Sequence, residues 1–318
     1  MLHRQRWFFL GIIILLLLCA CAEQPIHTEE PDITIVTEPE QGNTETPSGI
    51  DPISQNKEPA AAADADPKTA NQAPTAQKPE PQKHIDPEDQ DERSPEYRYM
   101  FSDMYAEYPQ EFTVPENTVY LTFDDGPTRL TGDYLDVLAQ YGVKATFFVV
   151  GIEQDTESGR ARLKRISGEG HTIGVHCYMH DYDAIYTSVE DYLKDFYKAY
   201  SFIRDVTGEA PVIFRFPGGS SKLKKYGLRN ELMAEMTRRG FVCYDWNITT
   251  ADTAGNASTE ACIRNVVDNC SRTQENIVLA HDGKTFVLKA LPRIIEDLQD
   301  RGFDFAPLAP NVKPVLLG

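Results

Sequence analysis

Leu121-Thr122-Phe123-Asp124-Asp125-Gly126-Pro127 closes an apolar run, Val119-Tyr120-Leu121-Thr122-Phe123, with two adjacent carboxylates. The run alternates as a strand does, and Gly126-Pro127 then turns the chain away. Successive strand side chains point to opposite sides, so Asp124 and Asp125 are not interchangeable. At a strand end, one can bind a metal while its neighbour stays free to take a proton.

Working outward, His176-Cys177-Tyr178-Met179-His180 sets two imidazoles four residues apart, close enough to hold one metal ion. Two histidines and one carboxylate make an open site. Structural zinc usually takes four protein ligands, whereas three plus water is the catalytic arrangement. Cys177, between the two histidines, reads as a small residue filling space at a strand end.

From 113 onward, strand patterns alternate with helical ones. Strands are expected at 118–124, 143–150, 171–176, 212–216, 241–247, 276–281 and 303–306. Amphipathic stretches lie between them at 131–141, 158–169, 188–207, 227–239, 258–269 and 286–301. Most are followed by glycine, the usual helix stop (Gly142, Gly170, Gly208, Gly240, Gly302). Strands joined by crossover helices imply a parallel sheet, closed into a barrel or doubly wound. Asp124 and Asp125 end the first strand, His176 the third, Arg215 the fourth, Asn247 the fifth and His281 the sixth. Polar residues collected at the C-terminal strand ends favour a barrel with its site on that face.

The 318-residue chain is uneven in composition. Residues 1–21 read as a lipoprotein-type export signal: His3, Arg4 and Arg6, an apolar run from Trp7 to Leu18, then Cys19-Ala20-Cys21. Leu18-Cys19-Ala20-Cys21 resembles a bacterial lipobox, with Cys21 as the lipidated first residue of the mature protein and hence a membrane anchor. Residues 22–112 are rich in Pro, Glu, Asp and Thr, hold more than half of the 21 prolines, and carry most of the net charge of −18. They read as a disordered linker that cannot bury enough surface to offset its conformational entropy. No basic stripe interleaved with aromatics suggests nucleic acid. Four cysteines fall in the mature domain, and their spacing does not define a pairing. The segment 113–310 is the expected catalytic domain and 311–318 a C-terminal tail.

Five motifs in order, Thr122-Phe123-Asp124-Asp125-Gly126-Pro127, His176 to His180, Arg215-Phe216-Pro217-Gly218-Gly219, Asp245-Trp246 through Asp252, and Leu279-Ala280-His281, resemble the polysaccharide deacetylases of carbohydrate esterase family 4, the NodB-homology domain. The resemblance covers roughly residues 113 to 308. It implies an α/β fold, a distorted (β/α)7 barrel, and metal-dependent removal of acetyl groups from polysaccharides. It implies Asp125, His176 and His180 as metal ligands, with zinc first among candidate ions and cobalt or manganese as alternatives. Asp124 would be the general base that deprotonates the attacking water, and Arg215 its cationic partner. The backbone N–H after Pro217, that of Gly218, would help stabilise the oxyanion. His281 would be the general acid for the leaving sugar nitrogen, with Asp252 holding its tautomer. Leu279 would line the acetyl pocket.

Two departures stand out from the family pattern. Asp252-Thr253 replaces Asp-Trp, so the aromatic wall is missing or supplied by Trp246. Gly218-Gly219 stands where some relatives carry an aromatic or basic residue, and both changes are expected to open the sugar groove. Asp245 is read as a surface residue outside the site, His171 as structural, and Asp181 and Asp183 as polar loop residues. The expected substrate is N-acetylglucosamine of cell-wall peptidoglycan, met outside the cytoplasm by a lipid-anchored monomer. The alternatives are muramic acid, exopolysaccharide, chitin-like oligosaccharide or O-acetylated xylan. A non-catalytic glycan-binding scaffold should have lost a ligand, the base or the acid, and all are retained.

Overall fold

The computed structural model describes residues 95–152 and 154–318. The export signal, Cys21 and the linker as far as residue 94 lie outside the described residues, so the lipidation and anchoring expectations do too. Among the described residues, no helix is long and apolar enough to cross a membrane.

Eight strands form one sheet: β1 (Thr118–Gly126), β2 (Thr146–Val150), β3 (Thr172–Cys177), β4 (Ile213–Phe214), β5 (Val242–Cys243), β6 (Ile248–Thr249), β7 (Asn276–His281) and β8 (Asp304–Phe305). Their order is β5-β4-β3-β2-β1-β7-β6, with β8 paired to the start of β1. Every ladder is parallel. The helices are α1 (Thr131–Gln140), α2 (Glu157–Gly168), α3 (Tyr182–Ile185), α4 (Val189–Thr207), α5 (Arg229–Arg238), α6 (Thr259–Val267) and α7 (Thr285–Asp300). Among the described residues no ladder joins β5 to β6, so the sheet is an open half-barrel, in keeping with the distorted barrel that the family resemblance implies.

Local chemistry sets the helix ends. The Thr156, Ser188 and Ser258 hydroxyls accept the first free N–H groups of α2, α4 and α6. Two apolar layers follow from strand alternation. On β1, Val119, Leu121 and Phe123 face the helices with Leu135, Leu138 and Phe147, while Tyr120 faces the barrel interior with Phe148, Ile213, Val242, Tyr244 and Ile277. Thr122 and Asp124 share the inward parity of Tyr120, so the strand that fills the barrel also delivers a carboxylate to its mouth.

Three expectations change. The strand expected at 241–247 is only β5, Val242–Cys243; residues 244–247 leave the strand and β6 starts at Ile248. Asn247 therefore sits at the N-terminal end of β6, where its amide accepts from Ile277 N (3.0 Å) and donates to the Glu275 carbonyl. It lies away from the mouth, contrary to its expected place on the site face. The folded region starts earlier than 113: Tyr97 and Met104 are buried, and Arg239 binds the Tyr97 and Met100 carbonyls, both at 2.9 Å. Residues 311–318 are tied into the fold. Val312 is buried, its carbonyl accepts from the Tyr244 hydroxyl, and Asp245 N donates to the Val315 carbonyl.

Candidate active site

The mouth is assembled from four strand ends. Asp124 on β1 is the register partner of His281 on β7, so their side chains stand next to each other on one face. By simple alternation Asp125 should point away. Instead the ladder to β2 shifts register between Asp124 and Gly126, and Asp125 adopts φ 69°, in the left-handed region that Asp tolerates better than most residues. That kink swings the second carboxylate back over the mouth. Both aspartates therefore reach one site by different backbone routes.

Gly126 follows from close approach. A Cβ there would lie 2.3 Å from Asp282 Oδ2, a carboxylate that also accepts from Thr131 Oγ1 (2.5 Å), Thr128 Oγ1 (2.9 Å) and Thr128 N (3.3 Å). Asp282 N in turn donates to the Asp124 carbonyl at 2.8 Å. The residue after His281 thus clamps the turn that carries both aspartates. A His-Asp-Gly run at a strand end was the signal that could have revealed it.

Asp125, His176 and His180 converge so that one donor atom of each lies within 4.8 Å of the others. His176 Nε2 and His180 Nε2 stand 3.6 and 3.4 Å from Asp125 Oδ1. That oxygen is buried and has no hydrogen-bond partner among the described residues, an arrangement costly for a carboxylate unless a cation fills it. His176 Nδ1 donates to the Arg215 carbonyl at 2.8 Å, which leaves the Nε2 lone pair facing Asp125. Burial depresses the His176 pKa more than the neighbouring Asp124 and Asp125 charges raise it, keeping the ring neutral as a ligand must be. The donor set of two imidazoles and one carboxylate suits zinc or a similar divalent ion.

The loop from Cys177 to His180 is held from below by Asp195 of α4. Its two oxygens accept from Tyr178 N and Met179 N, each at 2.8 Å. Asp195 lies in a charged amphipathic stretch and gave no signal in the sequence. Cys177 is buried, and burial first, then the nearby carboxylates, pushes its thiol well above the ordinary range. It is inert filling, as expected. All four described cysteines are free.

Arg215 is fully buried behind Asp124. It donates to Asp124 Oδ1 (2.8 Å), Thr122 Oγ1 (2.7 Å), the Tyr244 carbonyl (2.7 Å) and the Asp245 carbonyl (3.0 Å). Phe148 lies 4.3 Å beneath the guanidinium and Trp246 5.5 Å from it. Trp246 therefore backs Arg215.

On the opposite side, His281 Nδ1 and Asp252 Oδ1 are 2.7 Å apart, and His281 N donates to Asp252 Oδ2 at 2.7 Å. Burial works against a charged imidazole, but the Asp252 hydrogen bond and charge, helped by Asp124 and Asp125, outweigh it and raise the His281 pKa. Burial likewise raises Asp252, and its bonds to His281 more than offset that and lower it. Leu279, two residues before His281 on the same face, is buried.

The groove is less open than the sequence suggested. A Cβ on Gly219 (φ 79°) would meet Leu317 Cδ1 at 2.9 Å and Trp246 at 3.0 Å, so the space freed by glycine is already filled. Gly218 is flanked by Lys222 and Tyr182. Its N–H finds no acceptor among the described residues, and the Tyr186 hydroxyl holds the preceding Pro217 carbonyl at 2.9 Å. Asp245 is buried, correcting its reading as a surface residue. It accepts from Ser220 N, Ser220 Oγ and Leu317 N, and so fastens the Gly218-Gly219 turn to the C-terminal segment. His171 is structural as expected, accepting from Ala145 N at 3.0 Å. Asp181 caps α3.

The mouth of the parallel half-barrel thus brings two imidazoles and a carboxylate together between the Asp124–Arg215 and Asp252–His281 pairs. The chain belongs to the polysaccharide deacetylase family, hydrolases of the amide bonds of N-acetylated polysaccharides; the family pattern described as polysaccharide deacetylase matches residues 112–236. Among its relatives, a peptidoglycan-N-acetylglucosamine deacetylase of Bacillus cereus is 32% identical over 203 residues, spanning 62% of this chain and 71% of that protein. The crystal structure of the catalytic domain of the Eubacterium rectale peptidoglycan N-acetylglucosamine deacetylase superposes with a TM-score of 0.62 at 34% identity, covering 66% of this chain and 97% of that domain. A Streptococcus mutans CE4 esterase gives a TM-score of 0.56 at 30% identity, covering 61% and 87%.

Proposed function

We propose that the protein removes acetyl groups from N-acetylglucosamine of peptidoglycan, using a divalent ion, zinc first, held by Asp125, His176 and His180. The observation that carries the ion is the buried, unpartnered Asp125 Oδ1 facing two histidine Nε2 atoms. Such an ion supplies Lewis-acid polarisation of the acetyl carbonyl and lowers the pKa of water. Peptidoglycan as substrate is supported by the names of the Bacillus and Eubacterium relatives.

Around that site the chain's own groups divide the proton transfers. Asp124, oriented by its hydrogen bond from Arg215, takes the proton of the attacking water. As negative charge develops on the acetyl oxygen, the free Gly218 N–H donates to it. His281 then protonates the sugar nitrogen, without which an amine is a poor leaving group. Its Nδ1–H is fixed on Asp252, so Nε2 is the nitrogen turned to the mouth.

The Asp252–His281 pair predicts a pH dependence. Because Asp252 raises the His281 pKa, the acid form persists to higher pH and the alkaline limb of kcat/KM is displaced upward. In Asp252→Asn that limb moves to lower pH, and the acid limb does not follow it. The pH profile of the two proteins on one substrate checks this; an unmoved alkaline limb would remove His281 as the acid. The pair contributes to folding in the same sense. The stabilisation from His281 is present below the ordinary histidine value and is lost as pH rises through the raised one; that from Asp252 is present above the ordinary carboxylate value and is lost as pH falls through the lowered one.

Substrate is decided by measuring acetate released from purified peptidoglycan, chitooligosaccharides and acetylated xylan. Release from peptidoglycan is expected, and release from the other two alone would overturn the choice of substrate.

A further inference from the structure

Beside His180 lies a cavity of about 380 Å³, with Tyr182, Asp183, Lys222, Lys225 and Tyr226 on its walls. The deacetylation chemistry uses none of them. Tyr182 packs edge-on against His180, with centroids 5.3 Å apart, and a Cβ on Gly218 would touch both Tyr182 and Lys222. The cavity therefore adjoins both a triad histidine and the turn that presents the free N–H.

Its charges are unevenly satisfied. Asp181 Oδ1 accepts from Asp183 N and Ala184 N, and Asp183 Oδ1 accepts from the Tyr226 hydroxyl at 3.1 Å, so both acids are engaged locally. Lys222 Nζ lies 4.6 Å over the Tyr182 ring and Lys225 Nζ 5.2 Å over Tyr226. Neither ammonium has a carboxylate within salt-bridge range among the described residues, unlike Lys194 and Lys313, which pair with Asp191 and Glu275. Lys222 is half-buried, its stem lying beside Gly218. Ammonium groups held over tyrosine rings, beside a deacetylating centre, match a sugar whose anionic substituent meets the cations.

We infer that this cavity is a subsite for a carboxylate borne by the sugar next to the one being deacetylated, with Lys222 as the principal contact and Lys225 assisting. The inference rests on the glycan reading above and adds to it the charge of the substrate. It separates an acidic glycan from neutral chitin by an attractive contact.

The test compares four oligosaccharides: peptide-stripped peptidoglycan strands with free lactyl carboxylates, the same strands with those carboxylates amidated, alternating N-acetylglucosamine–glucuronate oligomers, and chitotetraose. Binding by calorimetry and KM for acetate release are measured for the zinc-loaded wild type, Lys222→Gln, Lys222→Arg and, as an exposed control outside the cavity, Lys224→Gln. Lys222→Gln is expected to weaken binding of carboxylate-bearing strands about tenfold, as loss of one charge-assisted contact does, with kcat within about twofold. Lys222→Arg should restore much of the loss, and amidated strands and chitotetraose should be indifferent to either change. The lactyl and glucuronate arms tell which carboxylate the subsite accepts. Equal losses on charged and amidated strands, or none on either acidic ligand, would overturn the inference. Absence of acetate release from every ligand would overturn the proposed reaction, while the binding comparison would still decide the subsite.

Discussion

Asp124→Asn is expected to lose about 10²–10⁴-fold in kcat, the usual worth of a general base, while the protein stays folded and binds one zinc ion as the wild type does. The substitution is isosteric, and its amide oxygen can still accept from Arg215, so the buried contact survives. What disappears is proton affinity at the atom facing the attacking water. Asp125, His176 and His180 form the triad without help from Asp124, whose nearer approach to that cluster is 3.9 Å to His176 Nε2. His176→Ala should by contrast lose both ion and turnover. Metal content and initial rates on the same samples separate the two. Turnover of Asp124→Asn within a few-fold of wild type would return Asp124 to a purely structural role.

Arg215→Met should destabilise the fold by about 3–5 kcal/mol, the loss typical when one partner of a buried ion pair is removed. The guanidinium satisfies Asp124, Thr122 and the Tyr244 and Asp245 carbonyls at once, and all four would be left in a dry interior. At about 2–4 °C per kcal/mol for a domain of this size, the thermal midpoint should fall by roughly 10 °C. Lysine should recover little, because a point charge cannot reproduce a fork bonded to four acceptors. Differential scanning calorimetry of both variants is the measurement. A midpoint unchanged by Arg215→Met would mean that the buried network does not hold the mouth together.

Much of this was legible because strand periodicity and chain direction act locally. Alternation along Val119 to Phe123 placed Asp124 inward, glycines marked helix ends, and His176, Arg215 and His281 fell at strand termini as a parallel sheet requires. The limits appear where one segment's conformation depends on another's packing. The run at 241–247 reads as one strand, yet Asp245 leaves the sheet as Ser220 and Leu317 draw in its carboxylate. Asn247 consequently faces the other end of the sheet. The return of Asp125 to the mouth needs a bulge and a left-handed residue, neither encoded in apolar period. Asp195 and Asp282 act through backbone N–H groups and hydroxyls distant in sequence, so spacing carried no trace of the first and only adjacency to His281 marked the second. The groove at Gly219 looked open because Leu317, which closes it, arrives from the far end of the chain.

The measurement closest to the central claim is acetate release from purified peptidoglycan by protein stripped with a chelator and then restored with zinc, with bound metal quantified at each stage. Release that vanishes with the ion and returns at one zinc per chain is the predicted result. Full release by protein shown to be metal-free would contradict it, and the cluster of Asp125, His176 and His180 would then need another explanation.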